Sequence, residues 1–249
     1  MEEFLLAFLG IFGVVLLLGA TFVTLYRRQG KRLAALANRG RPGWADFPGS
    51  AARRGFPHRW VMIRSTNTSL LREYLHIRAL NMTSWSEALA RSSERRFFLS
   101  TPVEGWSILV GGSLPDPAQN IDDCYHFLRW LSREFDEVQF FSVDRVLNHH
   151  AWARLSEGNV SRAYAWCGDV QWNEGRLTRD ERLLGIRTLD YGNQMDSPPY
   201  GEVPIEQTNT DRVILLARRW GIDPIAATDI LLQQDEMESG EDVSGRGQV

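Results

Sequence analysis

An uncharged apolar run from Phe4 to Tyr26 precedes a body in which apolar and polar residues recur with the periods of helices and strands. At about 1.5 Å per residue, a helix over this run is roughly 30–35 Å long, which matches the hydrocarbon core of a bilayer. It carries no polar stripe of the kind that a surface helix of a globular protein shows. The pattern predicts a retained transmembrane anchor over residues 1–26, with contacts to the lipid bilayer made by side chains that include Phe4, Phe12, Leu17 and Tyr26.

The charge that follows the run predicts its orientation. Between residues 27 and 54 there are eight basic residues and one acid, Asp46, and the first four basic residues are Arg27, Arg28, Lys31 and Arg32. Positively charged flanks stay on the cytoplasmic side of a membrane. We expect a single-pass protein of the inner (plasma) membrane with its N-terminus outside and its body in the cytoplasm. These basic residues either set the topology alone or also contact anionic lipid head groups.

The rest of the chain divides into a basic stub and linker over residues 27–57, a globular body over residues 58–234 and an acidic tail over residues 235–249. Glycine and proline interrupt the linker, and the composition of the tail predicts disorder. Within the body, period-two and period-3.6 patterns predict strands and helices. The predicted strands are 60–64, 97–100, 106–111, 138–143, 149–155, 160–166 and 169–174, and the predicted helices are 67–80, 84–92, 120–135, 178–185, 210–220 and 223–234.

The order of these elements predicts an α+β fold with a mostly antiparallel sheet. The first six read strand, helical segment, strand, strand, helix, strand, which is the order of a ferredoxin-like βαββαβ core. A hairpin around Ser156–Asn159 and further helices follow this core. Near the hairpin, Thr178 and Glu181 have the spacing of a capping box and open a helix.

The second strand of the hairpin separates large from small side chains. Val160, Arg162, Tyr164 and Trp166 alternate with Ser161, Ala163, Ala165 and Cys167. The small set predicts that another element packs closely on one face of the sheet. The large set allows two interpretations: ordinary packing, or a groove that stacks a planar ligand or a sugar. The candidate groove residues are Trp152, Arg162, Tyr164, Trp166 and Trp172.

Composition narrows the class of protein. The 249 residues are 43% hydrophobic and 24% charged, as in a globular chain, and the net charge of -3 gives no general basic excess. We therefore expect no nucleic-acid partner. Two cysteines exclude a disulfide-dense scaffold and a four-cysteine metal site, and we predict no metal. The sequence implies no particular cofactor, and it holds none of the common nucleotide-binding, zinc-protease or serine-hydrolase motifs.

The candidate catalytic pair is His150 with Cys167. If the hairpin turns at Glu157-Gly158 without irregularity, His150 lies opposite Ala165 and diagonal to Cys167 on the face with small side chains. A histidine beside a cysteine can generate a nucleophilic thiolate. The alternative is a polar residue at a strand start and a small buried thiol.

The segments VQFFSVDRVLNHHAWAR and RAYAWCGDVQWNEG, within residues 138–175, resemble an uncharacterised bacterial domain family. The resemblance covers residues 105–185. It implies that this stretch is one integral unit, and because no activity is attached to the family it implies no functional residue.

Two functions are compatible with the sequence. The leading expectation is a single-pass membrane protein that presents a cytoplasmic, protein-binding or regulatory α+β domain without enzymatic activity. The anchor, the missing catalytic motifs and the acidic tail favour it. The alternative is a small-ligand receptor or an enzyme that uses the hairpin region, residues 144–172.

Overall fold

The computed structural model describes residues 56–77, 84–192 and 205–244, with side chains as far as Asp235. The predicted anchor and almost all of the basic linker, through residue 55, lie outside this part of the chain. Among the described residues, no helix is both long enough and apolar enough to cross a membrane.

The described chain contains seven strands and six helices in an α+β arrangement. The strands are β1 (Arg59–Ile63), β2 (Phe98–Leu99), β3 (Ser107–Val110), β4 (Val138–Asp144), β5 (His149–Ser156), β6 (Asn159–Trp166) and β7 (Val170–Glu174). The helices are α1 (Thr68–Tyr74), α2 (Trp85–Ala90), α3 (Ile121–Leu131), α4 (Arg179–Leu183), α5 (Ile205–Trp220) and α6 (Pro224–Ser244).

All seven strands form one antiparallel sheet in the order β2-β3-β1-β4-β5-β6-β7. The predicted α+β class and antiparallel sheet are therefore confirmed. In this order β3 lies between β1 and β2, and β1 lies between β3 and β4. Strands β4 to β7 then extend the sheet as a meander, so that the β4–β5 turn lies beside the start of β1.

Helices cover both faces of the sheet and bury two apolar cores. On the first face, which we call the α3 face, α1 and α3 pack on small and aliphatic side chains that include Ala151, Ala153, Ala163 and Ala165. On the second, the α5 face, α2, α5 and α6 pack on large side chains that include Trp60, Phe141, Trp152 and Tyr164. The prediction that an element packs closely on the small side chains is confirmed, because alanines let the helix axis approach the sheet.

A bulge in the β5–β6 hairpin changes the predicted register by one residue. Leu155 pairs with Val160 but Arg154 pairs with Arg162, so that Ser161 has no partner of its own. Its hydroxyl instead donates a hydrogen bond of 2.8 Å to the Arg154 carbonyl. A one-residue slip moves every following side chain to the other face. The expected pairing of His150 with Ala165 is wrong for this reason, and His150 pairs with Trp166.

The last helix corrects the predicted C-terminal boundary. Helix α6 continues from Pro224 to Ser244, ten residues beyond the end expected at Gln234. No proline follows Pro224 in this stretch, and its glutamate residues are good helix formers. Residues 235–244 of the predicted tail lie in this helix, and residues 245–249 lie outside the described part of the chain.

Candidate functional site

Four of the five predicted groove residues lie on the α5 face, and they are buried. Trp152, Arg162 and Tyr164 are at most 1% exposed, and Trp166 is buried beside them. Trp172, the fifth, lies on the α3 face and packs with Tyr125 of α3. The structure thus brings four of these side chains together, but beneath helices rather than along an open surface.

Arg162 is held by a buried carboxylate that the capping box of α4 positions. Thr178 and Glu181 make both reciprocal hydrogen bonds of the predicted box. The second oxygen of the Glu181 carboxylate accepts hydrogen bonds from Trp152 Nε1 at 2.8 Å and Arg162 Nε at 2.9 Å. Arg162 Nη1 donates to the carbonyl oxygens of Ala163, Glu174 and Gly175 and to Asn173 Oδ1. This network joins α4 to β5, β6 and β7, and it leaves Arg162 Nη2 buried without a hydrogen-bond partner.

His150 also lies on the α5 face, away from Cys167. Its ring stacks near Trp152 and Tyr164, with centroid distances of 5.6 and 5.9 Å, and its Nδ1 lies 2.9 Å from the Thr210 hydroxyl. Burial disfavours the charged ring and lowers the pKa of His150 to about 3. His150 is therefore a neutral residue of the core. No hydrogen bond joins it to Cys167, although both residues border one cavity.

The neutral state of His150 predicts a pH-dependent stability. The unfolded chain binds a proton near the ordinary pKa of 6.5, whereas the folded chain does so only near 3. The contribution of His150 to the free energy of unfolding is therefore fully present above pH 6.5. It decreases by about 1.4 kcal/mol per pH unit as the pH drops from 6.5 towards 3. In the wild-type chain this lowers the free energy of unfolding by about 2 kcal/mol between pH 6.5 and pH 5, and we expect His150→Gln to abolish that decrease. Urea unfolding followed by tryptophan fluorescence at each pH measures this difference.

The wild-type chain, unfolded in the same buffers at the same pH values, provides the control. Equal pH slopes for wild type and His150→Gln would contradict a neutral buried His150.

The α3 face holds an open cavity of about 300 Å³ at the end of the sheet where β1 begins and β4 turns into β5. We call it the corner cavity. Its apolar lining includes Leu147, and its polar lining comes from His58, Arg59, Asp116, Ser142, Asp144, His149, His150 and Cys167. Arg59 and Asp116 form an ion pair across it.

Three of these residues come from neighbouring strands or their ends. Asp144 pairs directly with His149, and Cys167 follows Trp166, which is the partner of His150. Burial, with the carboxylates of Asp116 and Asp169, raises the pKa of the Cys167 thiol to about 12. The thiol is therefore protonated at neutral pH, which opposes its use as a nucleophile. Among the described residues, no three His, Cys, Asp or Glu side chains are arranged to hold a metal ion.

An apolar turn stands beside the corner cavity. Val146 is 88% exposed and Leu147 is 60% exposed, at the tip of the β4–β5 hairpin. The Asp144 carboxylate fixes this turn by accepting hydrogen bonds from the backbone N–H groups of both residues, at 2.8 and 3.0 Å. Arg145, which precedes them, forms an ion pair of 3.7 Å with Asp211 of α5. We call Val146 and Leu147 the apolar tip.

The sequence prediction missed both the apolar tip and the role of His149 in this region. Val146 and Leu147 follow the strand VQFFSVD and precede His149, so hydropathy alone predicts that they are buried. An aspartate followed within a few residues by a return to strand is the available signal for a turn. The predicted register was wrong by one residue. It therefore placed His150 on the face of Cys167, where the structure has His149.

No family model, no curated protein and no solved structure matches the chain. The function of the site is therefore inferred from its geometry.

Proposed function

We propose that this chain is a single-pass protein of the inner membrane that presents its α+β body in the cytoplasm to bind a partner protein. Residues 4–26 anchor it in the lipid bilayer, and the first four strands with α1 and α3 form a ferredoxin-like core. The β4–β5 corner, which combines the apolar tip with the corner cavity, is the binding surface. The domain acts as a regulatory or scaffolding module and not as an enzyme.

The apolar tip is the observation that carries this proposal. Two adjacent aliphatic side chains face water although the core of the body is fully formed without them. Burying a valine or leucine against a partner is worth about 1.5–3 kcal/mol. Because Asp144 and Arg145 already hold the turn, little conformational entropy is lost when it docks. An exposed apolar residue is ordinary by itself, but a fixed pair beside a cavity is suited to a protein partner.

Site-specific photo-crosslinking of the full chain in its own membrane tests the proposal. We expect a benzophenone side chain at position 147 to give one discrete protein adduct, and Val146→Asp in the same chain to reduce its yield about tenfold, since burial of one valine is lost. Mass spectrometry identifies the adduct, and gel quantification measures its yield.

Leu183 provides the matched control, because it is an aliphatic residue of 59% exposure on α4, away from the corner. A benzophenone there should give no such adduct, and Leu183→Asp should leave the adduct at position 147 unchanged. Equal adducts from both positions, or an adduct that survives Val146→Asp, would refute the corner as a specific binding surface.

The corner cavity itself supports a second candidate, a small-ligand receptor or enzyme that uses residues 144–172. Asp144, His149 and Cys167 offer a carboxylate, an imidazole and a thiol around one cavity. Native mass spectrometry of the full chain released from lipid nanodiscs separates the two candidates. A retained small molecule whose loss follows His149→Ala would favour the receptor, whereas a mass equal to that of the chain favours the protein-binding module.

A further inference from the structure

We propose that the corner cavity receives an arginine or lysine side chain of the partner protein, while the apolar tip covers the residues beside it. This inference rests on the proposed function and specifies the chemistry that the partner must carry. Three properties of the cavity lining support the inference: its charge, its hydrogen-bonding groups and its shape.

The charge of the lining favours a cation. Arg59 is the cationic residue among the lining side chains, and its guanidinium is already paired with Asp116. The carboxylate of Asp144 uses Oδ1 for the two N–H groups of the turn, and it makes no ion pair with a described residue. Asp169 adds a second carboxylate near Cys167. The carboxylates of the lining and its rim (Asp116, Asp144 and Asp169) therefore outnumber its one guanidinium, that of Arg59.

The uncharged polar groups add acceptors. Nδ1 of His58 lies 3.0 Å from the Val143 carbonyl oxygen. In the neutral ring Nδ1 therefore carries the proton and donates it to that oxygen, and Nε2 is left as an acceptor. The Ser142 hydroxyl lines the same cavity and can accept as well. A ligand that donates several hydrogen bonds and carries positive charge complements this set, and guanidinium and ammonium groups do both.

The shape of the corner suits a long side chain with an apolar stem. Leu147 contributes to the cavity wall as well as to the exposed tip, so an entering side chain passes along it. Arginine and lysine pack methylene stems on apolar surface while the charged head reaches polar groups. The small floor residue Ala151 leaves depth for the head.

The test measures binding to the full chain in lipid nanodiscs by isothermal titration calorimetry. The probe is N-acetyl-arginine amide, and its matched control is N-acetyl-citrulline amide, which has the same shape without the charge. We expect saturable binding of the arginine probe at one site. The citrulline probe should bind at least about tenfold more weakly, because the charge-assisted hydrogen bonds are lost.

Asp144→Asn is the decisive variant, because the asparagine oxygen can still accept the two turn hydrogen bonds while the charge is gone. It should abolish the difference between the two probes. No binding of either probe, equal binding of both, or a preference that persists in Asp144→Asn would overturn the inference.

The two proposals can fail separately. Preferential binding of the arginine probe without a discrete crosslink at position 147 would retain the cation site and remove the partner-binding function. A discrete crosslink that depends on Val146, together with no preference for the arginine probe, would retain the function and remove the cation site.

Discussion

Replacing Glu181 with glutamine should destabilise the body by about 3–5 kcal/mol, the usual effect of removing one partner from a buried ion pair. The carboxylate is fully buried, and the side chain of Arg162 is 1% exposed. Water therefore cannot replace the missing charge. Glutamine keeps an oxygen for the Thr178 N–H of the capping box, so the loss reports on the ion pair with Arg162 and the hydrogen bond from Trp152 Nε1, and not on the start of α4.

Arg162 cannot avoid this loss by turning towards solvent. Its Nη1 donates to three backbone carbonyl oxygens and one side-chain oxygen at the end of β6 and β7. Its Nη2 is buried without a hydrogen-bond partner, so the guanidinium already depends on Glu181 for its compensation. Removing the carboxylate charge leaves a complete positive charge in the core, which explains why the expected effect exceeds that of an ordinary hydrogen bond.

Urea unfolding of a fragment that begins at Phe56 measures the free energy, because the described residues contain both cores. Asp180→Asn on the same helix is the control: that carboxylate lies 3.5 Å from Arg219, and both side chains are partly exposed. We expect it to change the free energy of unfolding by less than about 1 kcal/mol. A Glu181→Gln fragment as stable as Asp180→Asn would contradict a role for the buried pair.

Local sequence patterns were sufficient for most of the elements and for both faces of the sheet. The alternation in β6 separates Arg162, Tyr164 and Trp166 from Ala163 and Ala165, and this separation follows from the pleat of any strand. The capping box at Thr178 and Glu181 was predictable for the same reason, since its spacing fixes which backbone N–H groups it reaches.

The candidate site was not predictable, because it depends on one irregular residue. Ser161 has no special side chain, yet the bulge there decides whether His149 or His150 shares a face with Cys167. The burial of Arg162 was also hidden, since its partner Glu181 lies 19 residues away. Sequence periodicity reports which residues share a face, but not which helix covers that face.

The second large effect is expected at Gly111, where alanine should cost about 3 kcal/mol or more. Its φ of +131° belongs to a region that essentially only glycine adopts, and a Cβ atom there would lie 2.0 Å from the Arg96 carbonyl oxygen. That carbonyl cannot move freely, because Phe98 just beyond it pairs with Val110. An alanine side chain at position 111 would therefore force the β2–β3 pair and the backbone around Arg96 apart.

Gly105→Ala isolates the close approach from the backbone conformation. Gly105 also has a positive φ, +84°, but a Cβ atom there meets nothing within 4 Å. We expect it to cost about 1 kcal/mol, the penalty of the left-handed conformation alone. The excess cost at Gly111, measured by urea unfolding of the same fragment, is then the cost of displacing the segment around Arg96. Equal losses at the two positions would mean that the turn yields without strain, and that the close packing of β3 on residues 93–96 does not stabilise the fold.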